Sequence, residues 1–442
     1  MSIEPFQHRR AAGLLLAILF VTGADRAGAS QAYLNMPQQP GGGLPLLLSQ
    51  TGAFRDTARL LPAANLVPYE LNVSFWADGA HKQRWMSLPP EGKIGFAPKG
   101  DWTFPAGTVF VKNFELATNE SHPEARRRLE TRLIVRTADG GVYGATYKWR
   151  PDSSDADLLA TNLTEPIVIK TATGSRTQMW YYPSREDCRT CHTDRNGGVL
   201  GVKTRQINRD ASFVGGAAEN QLRRWSGLGF FETPLSDAQL AACDRLARAD
   251  GTGRSLEDRA RSYLDANCSN CHRPGGTVAY FDARYDTPLA QQGLINGQIL
   301  LDEGIDSPRI IAPNDIWRSI LFMRAHATDA LKMPPLAHES LDRAGCELLR
   351  QWIASMPGPK VLPPPSFSLA AGNYANPVEL SLTDNEAGAV IRFTLDGSRP
   401  TLSDAIYDKP IRLAGPTTVR AKAFKPGFTK SITTQETFII GN

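Results

Sequence analysis

Hydrophobic and polar residues alternate with a period of two along much of the first third of the chain. The segments 107–114, 131–136 and 142–149 follow this pattern, and a Gly-containing turn at 138–141 separates the last two. Such alternation on either side of a Gly turn is typical of antiparallel strands, because successive side chains of a strand point to opposite faces. We therefore predict an all-β domain, a sandwich or a barrel, over residues 30–164.

The pattern becomes helical in residues 236–359. Ser255 is placed as a helix N-cap, and apolar residues recur at helical spacing from there to Leu264. A second helical pattern covers residues 341–356 and stops before Pro357. These patterns predict two helices that cross each other.

The last part of the chain returns to short strands. A Pro-rich linker, 360–365, is expected to be stiff and extended. After it, residues 366–442 have the pattern of a small all-β sandwich of Ig-like size. The predicted strands are 378–382, 390–395, 411–413, 418–424 and 434–440.

Two five-residue stretches of the form C-x-x-C-H carry the most specific chemistry in the chain. Two thiols separated by two residues can capture the vinyl groups of one haem edge, and the following imidazole can ligate the iron. Paired C-x-x-C units of a zinc ribbon are the alternative, but they do not explain the His after each pair. We predict two covalently attached haem c groups, the first in the segment 165–235. The expected attachment and proximal-ligand residues are Cys188, Cys191, His192, Cys268, Cys271 and His272.

The sequence indicates one distal iron ligand for the second haem but leaves several alternatives for the first. Met333 lies in a Lys-Met-Pro-Pro-Leu stretch whose prolines stiffen the loop, so we expect it to ligate the second haem. Met323 and His326 are rivals, but they lie in or beside a helical pattern that favours core packing. For the first haem the alternatives are an open iron or one of four upstream residues: Met179, His81, Met86 and His122.

The N-terminus has the pattern of a secretory signal. A pair of arginines precedes the apolar run 11–21, and cleavage is expected after Ala29, which defines a signal peptide of residues 1–29. The mature protein is then periplasmic or secreted. In that compartment Cys243 and Cys346 either form a disulfide or remain separate buried thiols.

Charge and hydropathy exclude two classes of partner. The 49 basic and 45 acidic residues give a formal net charge of only +4, which does not indicate nucleic-acid binding. Beyond the signal, no run of about 18 apolar residues occurs, so no membrane span is expected.

Three resemblances extend this interpretation. The segment 236–359, with its C-x-x-C-H and Met-Pro-Pro stretches, resembles a class I cytochrome c domain. The tail, with Leu395-Asp396-Gly397-Ser398 and the later 418–424, looks like the C-terminal domain of chitobiase and β-hexosaminidase enzymes. Residues 68–210 are similar to uncharacterised exported bacterial dihaem cytochromes. Together they imply a multidomain protein with an N-terminal all-β domain, an α-helical cytochrome c region with two haems, and a C-terminal Ig-like β-sandwich.

The function expected from these features is the relay of single electrons between redox partners, for instance an exported dehydrogenase. No residue is assigned a catalytic role. One alternative is a haem enzyme, such as a peroxidase-like oxidoreductase that acts at the first haem. Another is a surface-binding redox protein whose tail holds carbohydrate.

Overall fold

The computed structural model describes residues 33–213 and 216–441. The predicted signal peptide, residues 1–29, lies outside the described residues. Within them, 29% of residues are in strands and 16% in helices. No described helix is both long enough and apolar enough to cross a bilayer.

A six-stranded antiparallel sheet organises the N-terminal part. Its strand order is β3-β4-β5-β6-β7-β8, and two hairpins, β1-β2 and β9-β10, lie beside it. The strands are β1 (Phe54–Asp56), β2 (Leu61–Pro62), β3 (Val67–Pro68), β4 (His81–Ser87), β5 (Val109–Ala117), β6 (Arg126–Arg136), β7 (Val142–Trp149), β8 (Ala156–Leu158), β9 (Leu163–Thr171) and β10 (Gly174–Tyr182).

Both faces of this sheet are covered. Val109 and Val111 of β5 face a core built with the first residues of the described chain, whereas Phe110 belongs to a second core on the opposite face. The second core includes Cys188 of the first C-x-x-C-H motif. The period-two alternation of β5 therefore separates two buried faces, and one of them holds a predicted site residue.

The middle of the chain contains short elements. The helices are α1 (Arg185–Cys191), α2 (Thr204–Ile207), α3 (Gln221–Gly227), α4 (Asp237–Ala242), α5 (Leu256–Asn267), α6 (Ile320–His326) and α7 (Arg343–Ser355), and a two-residue ladder joins β11 (Asp210–Ala211) to β12 (Glu219–Asn220).

The prediction of an α-helical cytochrome c region that contains both haem motifs is wrong. β structure continues to Tyr182, and the described residues between Pro183 and Met356 form seven helices, most of them one or two turns long. The first motif lies on α1, which packs on β7 of the N-terminal sheet rather than in a helical region shared with the second motif. The β9-β10 hairpin and irregular loops between short helices take the place of the helical region that the resemblance implied.

The two longest helices do cross, as their periodicity predicts. Ser255 caps α5 by accepting from the backbone N–H of Asp258, and Asp342 caps α7 in the same way with Gly345. A Cβ atom added at Gly345 would lie about 2.4 Å from the Tyr263 ring, so glycine permits the close contact of α5 with α7.

The tail forms a separate β domain with its own core. A five-stranded sheet, β14-β21-β20-β17-β18, is accompanied by the pairs β13-β16 and β15-β19. The strands are β13 (Ser366–Phe367), β14 (Gly372–Tyr374), β15 (Val378–Leu380), β16 (Leu382–Thr383), β17 (Val390–Thr394), β18 (Ala405–Ile406), β19 (Ile411–Leu413), β20 (Thr417–Phe424) and β21 (Thr434–Ile440).

A carboxylate of the preceding segment anchors this domain. Asp306 accepts from Lys422 Nζ at 2.5 Å and Arg399 Nη1 at 2.9 Å, and it also accepts from the backbone and hydroxyl of Thr433. Lys422 and Asp306 are both buried. The β domain is thus attached to the segment that carries the second motif through a desolvated ion-pair network.

Candidate functional site

The first C-x-x-C-H motif is held against the N-terminal sheet by a short capped helix. Ser184 caps α1 by accepting from the N–H of Asp187, and the Asp187 carboxylate accepts from the N–H of Ser184 in return. A Cβ atom at Gly144 of β7 would lie 2.4 Å from Cys188 Sγ. The missing side chain at Gly144 is therefore what lets Cys188 reach the sheet.

A cavity of about 210 Å³ opens beside this motif. Cys188, Cys191 and His192 line one part of it, and side chains of the sheet line another. The sheet contributes both apolar and cationic side chains to the lining of the cavity. The lining side chains from β4, β5 and β6 are Arg84, Phe110, Lys112, Phe114, Arg132 and Ile134.

The imidazole of His192 has the orientation that a metal ligand needs. Its Nδ1 lies 2.7 Å from the carbonyl oxygen of Gly198, so Nδ1 carries the proton and Nε2 is left with its lone pair. Burial lowers the pKa of His192 to about 4, and only the Gly198 contact opposes that shift. The ring is neutral at physiological pH.

Three cationic side chains stand in register across neighbouring strands. Arg84 of β4 pairs with Lys112 of β5, and Lys112 pairs with Arg132 of β6. Arg132 is hydrogen-bonded to buried Glu130, at 2.5 and 3.0 Å. Within the described part of the chain, Arg84 and Lys112 have no carboxylate partner. The cavity thus has an excess of positive charge.

The second motif follows α5 and opens into a different cavity of about 240 Å³. Cys268, His272 and Met333 all line this cavity, so the structure brings the predicted attachment residue, proximal ligand and distal ligand together. His272 stacks on Phe281 with ring centroids 4.3 Å apart, and burial lowers its pKa to about 4. Its Nδ1 is buried without a hydrogen-bond partner among the described atoms, unlike Nδ1 of His192.

A loop after Met333 is shared by the two cavities. Met333 and Pro334 line the second cavity, while Pro334 to Ala337 line the first. His338 fixes the loop, because its Nδ1 lies 3.0 Å from the carbonyl oxygen of Met333. His338 is 2% exposed, and its Nε2 is buried without a partner among the described atoms. Sequence reasoning missed this residue, although a His five positions after a candidate ligand was visible in the Pro-Pro loop.

The two C-x-x-C-H motifs lie next to each other and are joined by a hydrogen-bonded side chain. Asn196 Nδ2 donates to the carbonyl oxygens of Cys191, at 2.6 Å, and Asn270, at 2.9 Å. Cys271 of the second motif also lines the first cavity, and its thiol lies beside that of Cys191. One buried amide therefore joins residues that are far apart in the sequence.

The four upstream candidates for the first distal ligand do not reach the first cavity. Met179 is 41% exposed on β10. Met86 is packed in the second core, on the same sheet face as Cys188, but it does not line the cavity. His81 and His122 lie on the surface near Glu115 and Glu124. The rivals at the second site, Met323 and His326, lie on α6, where His326 stacks on Phe322, and neither lines the second cavity.

All six cysteines are free thiols. Cys243 packs with the second core and Cys346 lies on α7, so no disulfide joins them. Among residues 33–213 and 216–441, no group of three or more His, Cys, Asp or Glu side chains is arranged to hold a metal ion.

The residues present fit haem c at both motifs. At the first, a neutral imidazole is held through Nδ1, two thiols face a cavity with apolar walls, and unpaired cations can receive propionate carboxylates. At the second, an imidazole and a thioether share one cavity. Two features of the described residues depart from the usual arrangement: Nδ1 of His272 has no hydrogen-bond partner, and Cys271 lines the first cavity and not the second.

Comparison with known proteins bears on the tail alone. A family model described as the chitobiase/beta-hexosaminidase C-terminal domain matches residues 369–435, which confirms the resemblance of the tail to that family. The match covers a small part of the chain. No curated protein and no solved structure matches the chain. The resemblances to cytochrome families remain predictions.

Proposed function

We propose that the protein carries two covalently attached haem c groups and relays single electrons between redox partners in the periplasm or outside the cell. The observation that carries the proposal is the arrangement of the motifs. The first motif lines one cavity, Cys268 and His272 of the second motif line another, and Asn196 joins the two motifs. Two redox centres placed side by side suit internal electron transfer.

Each residue then has a defined role. Cys188 and Cys191 hold the first haem, and His192 ligates its iron through Nε2. Cys268 and Cys271 hold the second haem, with His272 as proximal ligand. The haem iron supplies a one-electron centre, and the protein sets its potential through the axial ligands and the dry walls of the cavity.

At the second site the proposed ligand pair is His272 with Met333. A thioether opposite an imidazole raises the reduction potential relative to two imidazoles. Met333 is positioned by its own backbone, since its N–H donates to Arg324 at 2.8 Å and its carbonyl accepts from His338. The ligand loop is fixed at both ends, which limits reorganisation during electron transfer.

Covalent haem content tests the proposal. The full chain, exported in a host that attaches haem c, should retain two haems after denaturation. Replacing Cys188 and Cys191 by Ala should remove one haem, and replacing Cys268 and Cys271 should remove the other. A matched control, Cys243→Ala with Cys346→Ala, should retain both. Intact-mass measurement distinguishes these outcomes, and a wild-type chain without covalent haem would refute the proposal.

A second candidate function is a haem oxidoreductase that acts at the first site. It is favoured by one observation: among the described residues, the first cavity is lined by no Met and by no His other than His192. An iron with an open position could bind a small molecule such as peroxide. Carbon monoxide and cyanide binding to the first haem would support this candidate.

A carbohydrate-binding role for the tail gains no support from its surface. The large hydrophobic side chains exposed in the described tail are aliphatic, at Val390, Leu395, Leu402, Ile406 and Ile439. Sugar rings are commonly held on exposed aromatic faces, which carry the polarisable surface needed for stacking. We therefore assign the tail no ligand.

A further inference from the structure

Among the residues that the structure describes, Lys112 is the one amine that lines the first cavity. It lies at the middle of β5 and lines the cavity together with Cys188, Cys191 and His192. Its Nζ lies 4.9 Å from the centre of the Phe114 ring and 5.5 Å from that of Phe75. Its side chain makes no hydrogen bond or ion pair with any described residue. A half-buried lysine is thus directed into the cavity without a polar partner.

The surroundings of Lys112 favour its neutral form. Burial lowers its pKa well below the ordinary value, and the neighbouring Arg84, Lys82 and Arg132 lower it further, while Glu130 opposes the shift. A neutral amine has a free lone pair, and metal ligands must be deprotonated. The same surroundings would make a charged Lys112 costly unless an anion filled the cavity.

Lys112 differs from the neighbouring cationic side chains in its access to the cavity and in its lack of a polar partner. Lys82 lies two residues from Arg84 on β4, but its Nζ donates to the carbonyl oxygen of Phe75 at 2.8 Å, and it does not line the cavity. Arg132 is paired with Glu130, and a guanidinium does not deprotonate in proteins. Of the cations around this cavity, Lys112 alone combines a free nitrogen with access.

Among the described residues, the other thioethers and imidazoles do not line the first cavity. Met86 and Met179 do not line it, and neither do the surface residues His81 and His122. Met333 lines the second cavity, and His338, although close in sequence to the lining loop, does not line the first. Within residues 33–213 and 216–441, no thioether and no second imidazole therefore lines this cavity beside His192.

We propose that Lys112, together with His192, would be a protein ligand of the first haem iron. The inference rests on the proposed attachment of haem at Cys188 and Cys191. Lys112 comes from the sheet and His192 from the end of α1, so the two ligands would reach the iron from different elements. Ligation by Lys112 would also occupy the position that the oxidoreductase candidate needs to be open.

Two substitutions at this position test the assignment in the full two-haem protein. Lys112→Ala should convert one of the two ferric haems from low spin to high spin and allow it to bind imidazole or cyanide. Lys112→Met, which keeps the length of the side chain, should retain low spin and add a second Met-to-iron absorption band to that of Met333. Lys82→Ala is the matched control and should leave both spectra unchanged. Optical and electron paramagnetic resonance spectra of the ferric protein report these changes.

Several outcomes would overturn the assignment. One is a high-spin first haem in the unsubstituted protein. Another is a low-spin spectrum that neither substitution at Lys112 changes while both haems remain covalently bound, which would mean that Lys112 pairs with a propionate. Absence of covalent haem by intact mass is a different failure, because it would refute the proposed function and not the choice of ligand alone.

Discussion

The two C-x-x-C-H sites differ in how the chain builds them. The second is assembled from one stretch of sequence, since α5, the Met333 loop and α7 all fall between Leu256 and Ser355. The first takes its motif from α1 but much of its wall from strands 50 to 100 residues earlier. Identical attachment motifs can therefore sit in a locally built site and in one that depends on long-range pairing.

The two sites nevertheless share one device. Each has a glycine where another backbone or side chain must come close: Gly144 beneath Cys188, and Gly345 beneath Tyr263. Neither glycine has the positive φ that would require it for conformational reasons. Each glycine is required because a side chain at its position would collide with a neighbouring residue. Substitutions at Gly144 and Gly345 can therefore perturb one site at a time.

The largest effect is expected at the anchor of the tail. Asp306 of the second site's segment binds Lys422, Arg399 and Thr433 of the tail, and Arg318 of the same segment adds a hydrogen bond to the carbonyl oxygen of Lys430. Asp306→Ala would leave Lys422 buried without its partner, and breaking a buried ion pair in this way costs about 3–5 kcal/mol. Denaturant unfolding should show this loss, together with separate unfolding of the tail. Asp408→Ala, at an exposed position, is the control and should change stability by less than about 0.5 kcal/mol.

The Asp306 network also predicts a pH dependence. Burial raises the pKa of Asp306, but the hydrogen bonds from Lys422 and Thr433 and the nearby cations outweigh it, so the pKa is lowered on folding. A lowered pKa contributes stability above the unfolded value of about 3.9, and this contribution is lost as the pH falls through the folded value. The stability difference between wild type and Asp306→Ala should therefore shrink below about pH 4. A difference that grew on acidification would contradict this account.

A smaller effect is expected from adding a methyl group at each close contact. Gly144→Ala would place Cβ against Cys188, and Gly345→Ala would place it against the Tyr263 ring. Overpacking of this kind costs about 1–3 kcal/mol, which exceeds the roughly 0.5–1 kcal/mol that Ala gains over Gly within a regular element. We expect Gly144→Ala to reduce haem attachment at the first site only, and Gly345→Ala to reduce it at the second only.

Gly415→Ala is the control for both variants, because a Cβ atom at that position meets no atom within 4 Å. Covalent haem content and urea midpoints are the measurements. If Gly144→Ala and Gly345→Ala each lowered haem content equally at both sites, the two sites would be one cooperative unit and the distinction between them would be lost.

The contrast between the sites also explains what the sequence could predict. Ser255 and the crossing helices are local signals, and the structure has the cap and both helices where the pattern indicated. Met333 is also a local signal and lines the same cavity as His272, and its role as an iron ligand stays a prediction. The sequence alone could not identify Lys112 as a site residue. Its proposed role depends on the pairing of β4, β5 and β6 and on a motif that begins 76 positions later, at Cys188. The helical region expected around both motifs failed for the same reason: a motif fixes the chemistry of its five residues but not the elements that cover them.

The smallest effect is expected at His338. Its side chain hydrogen-bonds to the carbonyl oxygen of Met333 at the second site, and it is connected to the first site only by the loop from Pro334 to Ala337. His338→Ala removes the donor to the Met333 carbonyl, and a single hydrogen bond contributes about 0.5–1.5 kcal/mol. Under the proposed ligation, the Met-to-iron band should weaken in this variant, whereas Met333→Ala should abolish it. The low-spin signal of the first haem should not change in either variant.

His338→Asn keeps a side-chain donor at this position and should recover part of the band. The ferric absorption spectrum at neutral pH is a sufficient test of both His338 variants. Burial lowers the pKa of His338, so its ring is neutral at that pH in the unsubstituted protein. Complete loss of the band in His338→Ala, equal to that of Met333→Ala, would contradict a positioning role. A change at the first haem would instead show that the loop from Pro334 to Ala337 transmits strain between the sites, since that loop lines the first cavity as well.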